Sequence, residues 1–218
     1  MPNKRSCFNF IRIFCVAFAA LLISTFTLNA HASSIKQLDV SELITQSELV
    51  FEGQVVDSEA RWNNNKTIIK TFITFQVNDV LHGTYSQSSL QLSFIGGDID
   101  GKRIAAQGLR HLKLGEQGIF FVSSLTRNLA NPIAGWSQGQ FLFSKDSTGQ
   151  NIVTTDSHHP VIGLNKRQAQ DTRKSSGVLS EGVASDVMLS ADPKSLNSGM
   201  KASDFKKELK ARMRNLNQ

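Results

Sequence analysis

The sequence predicts an all-β fold: a small antiparallel barrel, preceded by a short helix and followed by an amphipathic one. Three observations carry this. From Leu49 to Thr155, short runs of β-branched and aromatic residues alternate with a period of two. The separators are turn-length clusters of Gly, Asn and Asp, with no helical stretch between the runs. The chain has 218 residues, 40% hydrophobic and 19% charged, with four Pro and two Cys. That composition suits one compact domain with appendages and excludes collagen-like, disulfide-stapled and fully disordered classes.

Residues 1–32 read as a secretory signal peptide. Lys4, Arg5 and Arg12 make a basic start without an acid, Ile13 to Leu28 is almost wholly apolar, and Ala30-His31-Ala32 offers small residues for cleavage. The apolar run is short for a comfortable bilayer span, which disfavours an uncleaved anchor. Cys15 follows Arg12-Ile13-Phe14, without the small residues of a lipoprotein site. The expectation is cleavage near Ala32, a periplasmic or secreted product, and no transmembrane anchor after cleavage. Both cysteines, Cys7 and Cys15, leave with the signal, so residues 33–218 contain no thiol. The exported chain must then hold itself with its core, without disulfides. Thiol catalysis and Cys-ligated zinc are excluded.

Removing the signal lowers the net charge from +6 to +3, and the remainder is uneven. Residues 33–163 hold 10 basic and 12 acidic side chains, and residues 164–218 hold 11 and 6. A nucleic-acid-binding domain needs a basic stripe interleaved with aromatic platforms. The barrel segment lacks one, so no nucleic acid is expected as a partner.

Within 33–163, Ser41 is a plausible N-cap for a helical turn at Glu42-Leu43-Ile44-Thr45. The strands expected next are Leu49–Val56, Ile68–Leu81, Leu90–Phe94, Arg103–Ala106, Ile119–Val122, Gln138–Phe143 and Asn151–Thr154. Asn63-Asn64-Asn65, Gly96 to Gly101 and Asp146 to Gly149 supply the turns. Gly53 inside the first strand marks a bulge or bend of the kind that small closed barrels need. A long first hairpin and a bent first strand suit an OB-like barrel. Residues 164–202, rich in Ser, Gly and Asp, read as a flexible linker. Residues 203–218 read as an amphipathic helix capped by Ser203, with Phe205, Leu209, Met213 and Leu216 on one face.

Ser47 to Val56, Arg61-Trp62, Asp79-Val80-Leu81-His82-Gly83, Leu114 to Val122 and Gly135-Trp136-Ser137-Gln138-Gly139-Gln140-Phe141 form a pattern that resembles a group of exported bacterial proteins. The resemblance spans about residues 41–163 and implies export without implying a chemistry. More remotely, the order of the strand with a central Gly, the long strand closing on Leu-x-Gly and the Gly-rich turn resembles the netrin-like module of metalloprotease inhibitors. That resemblance implies an OB barrel. Inhibitors of that family chelate the protease zinc through an N-terminal cysteine, whereas this chain would begin at Ser33-Ser34-Ile35. The inhibitory mechanism therefore transfers to no residue here.

Several constellations compete with plain structural roles. Gly135-Trp136-Ser137-Gln138-Gly139 spells the G-x-S-x-G of a nucleophile elbow, and His158 or His159 follows Asp146 or Asp156. The elbow needs a strand before it and a helix after it, yet a strand follows, so a barrel loop is the better reading. His158-His159 could join His82, His111 or Asp156 around zinc or copper, against a loop sealing the barrel end. Asp98-Ile99-Asp100-Gly101 is a fragment of a calcium loop whose next residues, Lys102-Arg103, are basic.

The expected function is an exported non-enzymatic binding module presenting a loop-lined face to a protein, peptide or polymer. The candidate ligand-binding residues are Arg61, Trp62, Arg127, Trp136, His158 and His159, since Arg and Trp are enriched at binding hot spots. No catalytic residue, metal or cofactor is assigned. The alternatives are a serine hydrolase using Ser137, a periplasmic metal-binding protein and a regulator of an exported protease. Lys206, Lys207, Lys210 and Arg214 are expected to give the last helix a weak contact with acidic surfaces.

Overall fold

The computed structural model describes residues 35–106, 109–165 and 182–216. The expected signal peptide and residues 166–181 of the expected linker lie outside the described residues. The element order is α1 (Val40–Thr45), β1 (Leu49–Trp62), β2 (Ile69–His82), β3 (Ser89–Ile95), β4 (Gly97–Ile99), β5 (Lys102–Ile104), β6 (Gln117–Val122), β7 (Gln140–Lys145), β8 (Asn151–Thr154), β9 (Val161–Leu164), β10 (Val187–Leu189) and α2 (Ala202–Leu216). Six strands form one antiparallel sheet in the order β3-β2-β1-β6-β7-β8, and β4-β5 and β9-β10 are separate two-stranded ribbons. The mostly-β reading with two flanking helices holds.

The expected barrel closure is not made by strand pairing among the described residues: β3 and β8 end the ladder. The reason lies in what occupies the two edges. Along β8, Val153 N–H donates to Met200 O at 2.9 Å, and bridges join Ile152 to Lys201 and Thr154 to Pro160. At the other edge, Ile95 N–H donates to Ala130 O at 2.8 Å. Ala130 lies in the loop that returns to β6 through Ser123 N–H to Pro132 O and Ala134 N–H to Phe121 O. One backbone bond thus spans from β3 to the chain entering β7.

The first half of β1, β6 and β7 are buried on both faces of the sheet. On the first, Phe51, Phe75 and Phe120 meet with ring centroids 4.9–5.5 Å apart, joined by Leu49, Ile73, Leu92 and Phe94. On the second, Phe205, Leu209 and Met213 of α2 pack against Val50, Ile119, Phe121 and Phe141. This explains the unbroken apolar run of β6. Ile119 and Phe121 face α2, Phe120 and Val122 face the other core, and neither set can be polar.

Gly53 sits at a register shift between β1 and β2, and a Cβ there would lie 2.7 Å from Gln76 O and from the Phe51 ring. Asp100 and Gly101 both have positive φ, which the tight β4-β5 turn requires. The cap of α1 is Asp39, not Ser41: Glu42 N–H donates to Asp39 Oδ1 at 2.7 Å, and Asp39 N–H donates to Glu42 Oε2 at 3.0 Å. This reciprocal box satisfies two N-terminal donors that Ser41 would have left open. Helix α2 begins at Ala202, one residue before the expected Ser203 cap. Within the expected linker, residues 182–202 carry β10, which pairs with β9, and Ser185 N–H donates to Leu38 O at 2.9 Å.

The last helix is held by charge as well as by its apolar face. Lys206 Nζ lies 2.6 Å from Glu52 Oε2 and 3.5 Å from Asp79 Oδ2, and Lys210 Nζ lies 3.7 Å from Asp79 Oδ2. Hydrogen bonding to Glu52 holds the Lys206 ammonium above its ordinary value, against the opposing effect of its partial burial. Arg212 pairs with Asp186, which also accepts from Val40 N–H at 3.0 Å, and donates to Asn165 O at 2.7 Å. Of the four basic residues expected to face outward, Lys206 and Lys210 therefore address the sheet, while Lys207 and Arg214 are exposed. Among the described residues no helix is long and apolar enough to cross a membrane.

Candidate functional site

The far end of the β1-β2 hairpin carries the first two candidates, and it separates them. Consecutive strand residues point to opposite faces. Trp62 pairs with buried Ile69 on the inner face, half-buried, with Lys102 Nζ 5.9 Å from its ring centre. Arg61 pairs with Lys70 on the outer face, where its guanidinium lies 4.9 Å from the centre of the Phe72 ring and pairs with Glu59. The Arg61 bond draws the exposed Glu59 carboxyl below its ordinary range. Lys70 reaches across to the Asn128 side chain, which brings the exposed Arg127 loop to the same outer face. Arg61, Lys70 and Phe72 thus form one neighbourhood on the part of the outer sheet beyond the α2 contacts at Glu52 and Asp79, bordered by Asn128 of the Arg127 loop.

Trp136 is elsewhere. It opens a single 3-10 turn, Trp136–Gly139, with Gly135 and Trp136 both at φ +61°, and Gly135 packs closely beside Leu38 and Leu43. The turn's purpose shows in Gln138, only 1% exposed. Its Oε1 accepts from Leu38 N–H at 2.7 Å, and its Nε2 donates to Lys36 O and Gly135 O, each at 3.0 Å. The G-x-S-x-G spelling therefore builds a clamp on the segment leading into α1. No helix follows Ser137; β7 does. The histidine rings bond to other groups: His111 to Thr71 Oγ1 and Ile95 O, His158 to Glu116, and His159 Nε2 to Ser190 O at 2.8 Å.

His158 belongs to a cluster that sequence reasoning did not assemble. Arg110 Nη1 lies 3.0 and 3.1 Å from the two Glu116 oxygens, Lys113 N–H donates to Glu116 Oε2 at 2.8 Å, and His158 Nε2 lies 3.4 Å from Glu116 Oε1. Burial pushes the nearby Asp156 carboxyl above its ordinary range, opposed by the charge of Arg110 and then of His158. Arg110 Nε and Nη2 are buried with no partner among the described residues. His158, with its left-handed φ of 63°, and Asp156 are the members of the cluster that the sequence singles out. Arg110 and Glu116 lie in stretches without periodicity and come together through loop geometry alone.

A shallow hollow of about 340 Å³ lies at the start of α2, lined by Glu52, Phe143, Gln150, Asn151, Lys201 and Lys206. Among the described residues no group of three or more His, Cys, Asp or Glu is placed to hold a metal ion. Of the six expected ligand residues, Arg61 lies in the Phe72 neighbourhood and Arg127 is next to the Asn128 that borders it; Trp62 faces away from it, and among the described residues no contact joins Trp136, His158 or His159 to it. Compared with protein-family models, with characterised proteins and with solved structures, the chain matches none of them.

Proposed function

We propose that this protein is an exported, non-enzymatic binding module. Its contact surface is the outer face of the β1-β2 hairpin end together with the Arg127 loop. The carrying observation is the Arg61 guanidinium over the Phe72 ring on a stretch of sheet that α2 leaves open. A stacked cation–aromatic pair offers a flat apolar patch and a charge at low ordering cost, which suits a peptide or polymer ligand. Lys70 stands beside the pair and Glu59 neutralises Arg61, so the patch offers both signs of charge to a polar ligand. An OB-like scaffold underlies this reading. The order β3-β2-β1-β6-β7 and the bond from Ile95 to Ala130 support a partly open barrel of that kind.

The test is a quantitative pull-down from envelope extract and culture medium. Wild type is compared with Arg61→Ala, Phe72→Ala and Trp136→Ala. The expected result is a recovered partner that the first two variants lose and the third keeps. Recovery of nothing, or equal recovery by all four chains, overturns the proposal.

A further inference from the structure

The outer face of the sheet beyond α2 has a composition that selects a class of ligand. Across β2 and β3, register sets Phe72 beside Ser93, Thr74 beside Gln91 and Gln76 beside Ser89, and Gln54 of β1 extends the last row. These side chains alternate with the buried Thr71, Ile73 and Phe75 of β2 and with Leu90, Leu92 and Phe94 of β3, so they point away from the core. Each is exposed or half-buried. Gln91 Nε2 donates to Thr74 Oγ1 at 3.2 Å, and the β2-β3 ladder has no register shift, so the array is regular and partly pre-set.

Its chemistry turns away the usual macromolecular partners. The charges beside it cancel: Asp57 and Glu59 stand against Arg61 and Lys70, and Arg61 pairs with Glu59. A polyanion therefore gains nothing from this face. Phe72 and Ile95 are its apolar side chains, too few to make the apolar centre of a protein interface. From the row of Lys70 to the row of Gln76 the array spans about 20 Å along the strands, and about 10 Å across three of them. That is a few hundred Å², against about 800 Å² a side for a standard protein complex. An extended peptide is kept from the β3 edge, because Ala130 O takes the Ile95 N–H and Tyr85 Oη sits on Ser89 O.

What remains is a set of hydroxyls and carboxamides, each able to donate and to accept, around one aromatic ring. A neutral sugar chain has the matching complement: hydroxyls along both edges and an apolar C–H face. Equatorial linkages give a straight ribbon that can lie along a sheet, whereas axial linkages coil away from it. We infer that this face binds a neutral, ribbon-like β-glucan. Phe72 takes the C–H face of one sugar, and Thr74, Gln91, Gln76 and Ser89 take the hydroxyls of the sugars beyond it. The inference rests on the binding-module reading above and gives its ligand a chemical class.

Isothermal titration of residues 33–218 with cellohexaose, a soluble ribbon-type glucan, tests this. Maltohexaose, its coiled α-linked isomer, is the comparison. Wild type is expected to bind cellohexaose with a Kd between about 10 μM and about 1 mM, at least about tenfold tighter than maltohexaose. Because the ligand is neutral, that Kd should hold between about 0.05 M and about 0.5 M salt. Phe72→Ala is expected to weaken binding at least about tenfold by removing the ring. Gln91→Ala, at an exposed position, is expected to weaken it at least about threefold. Lys207→Ala, exposed on α2, should keep wild-type affinity. Thermal melts show which variants are folded. A wild type that does not bind cellohexaose overturns the inference, as does equal binding of the two sugars or wild-type affinity in either folded variant of the face. Gln91→Ala decides the matter if Phe72→Ala misfolds. A protein recovered in the pull-down above by a chain that ignores cellohexaose removes the glucan and leaves the binding-module reading in place.

Discussion

Gln138 shows how one side chain can decide the course of a segment. Its amide meets three backbone groups from two stretches about 100 residues apart in sequence. Gln138→Ala leaves the Leu38 N–H and the Lys36 carbonyl without these partners, while Gly135 O keeps the backbone N–H of residue 138; the loss is about 2 kcal/mol given the usual cost of unmet buried groups. Urea denaturation should show this as a lower midpoint at unchanged slope. Asp156 makes a different prediction. Its carboxyl titrates higher in the folded state than the ordinary value of 3.8. Between those two values the folded chain holds more protons than the unfolded one, so stability falls as pH rises through that window and stays reduced above it. Asp156→Asn removes the titration. The melting temperature of the variant relative to wild type should be higher at pH 7 than at pH 3; an equal difference at both would contradict the assignment.

Among the elements, α2 has the most at stake. Phe205 is fully buried, with its ring 4.7 Å from Phe141 and, through it, linked to Phe121. Phe205→Ala should cost about 3–5 kcal/mol as a large-to-small change in a closed core. Asp186 holds the same helix from the other side, accepting from Arg212 and from the first turn of α1. Asp186→Ala takes the nearer carboxylate from a largely buried guanidinium, leaving it Asn165 O and Glu208, and should cost about 3 kcal/mol, the low end for breaking one side of a buried pair. Asp186→Asn, which keeps an acceptor, should cost less. Chemical denaturation of the three variants orders these effects. The reverse order for the two Asp186 variants would mean that the guanidinium does not need its acceptor.

For the whole molecule, the sequence made the sheet legible because period-two alternation is local. Each strand expected from Leu49 to Thr154 appears, with β7 beginning at Gln140 because Gln138 and Gly139 are spent on the 3-10 turn. The Asp39-x-x-Glu42 capping box was also readable, and Ser41 drew attention from it. What stayed hidden depends on distant pairing. The ribbon β9-β10 joins short runs more than twenty residues apart, and neither run alone has enough periodicity to announce a strand. The candidate site was legible in residue type but not in arrangement. Arg61-Trp62 reads as one motif along the chain, and the pleat sends its two halves to opposite sides. The absence of thiols from residues 33–218 is legible at once and has a whole-molecule consequence: the melting temperature of that chain should not move when dithiothreitol is added.

The described chain enters beside α1 and leaves through α2, and the two helices share the Asp186 carboxylate. A pair of optical tweezers attached at those ends would load that junction before it loaded any strand. The helical lid would peel away one residue at a time at low force, and the sheet beneath would yield only afterwards, in a second and separate rip.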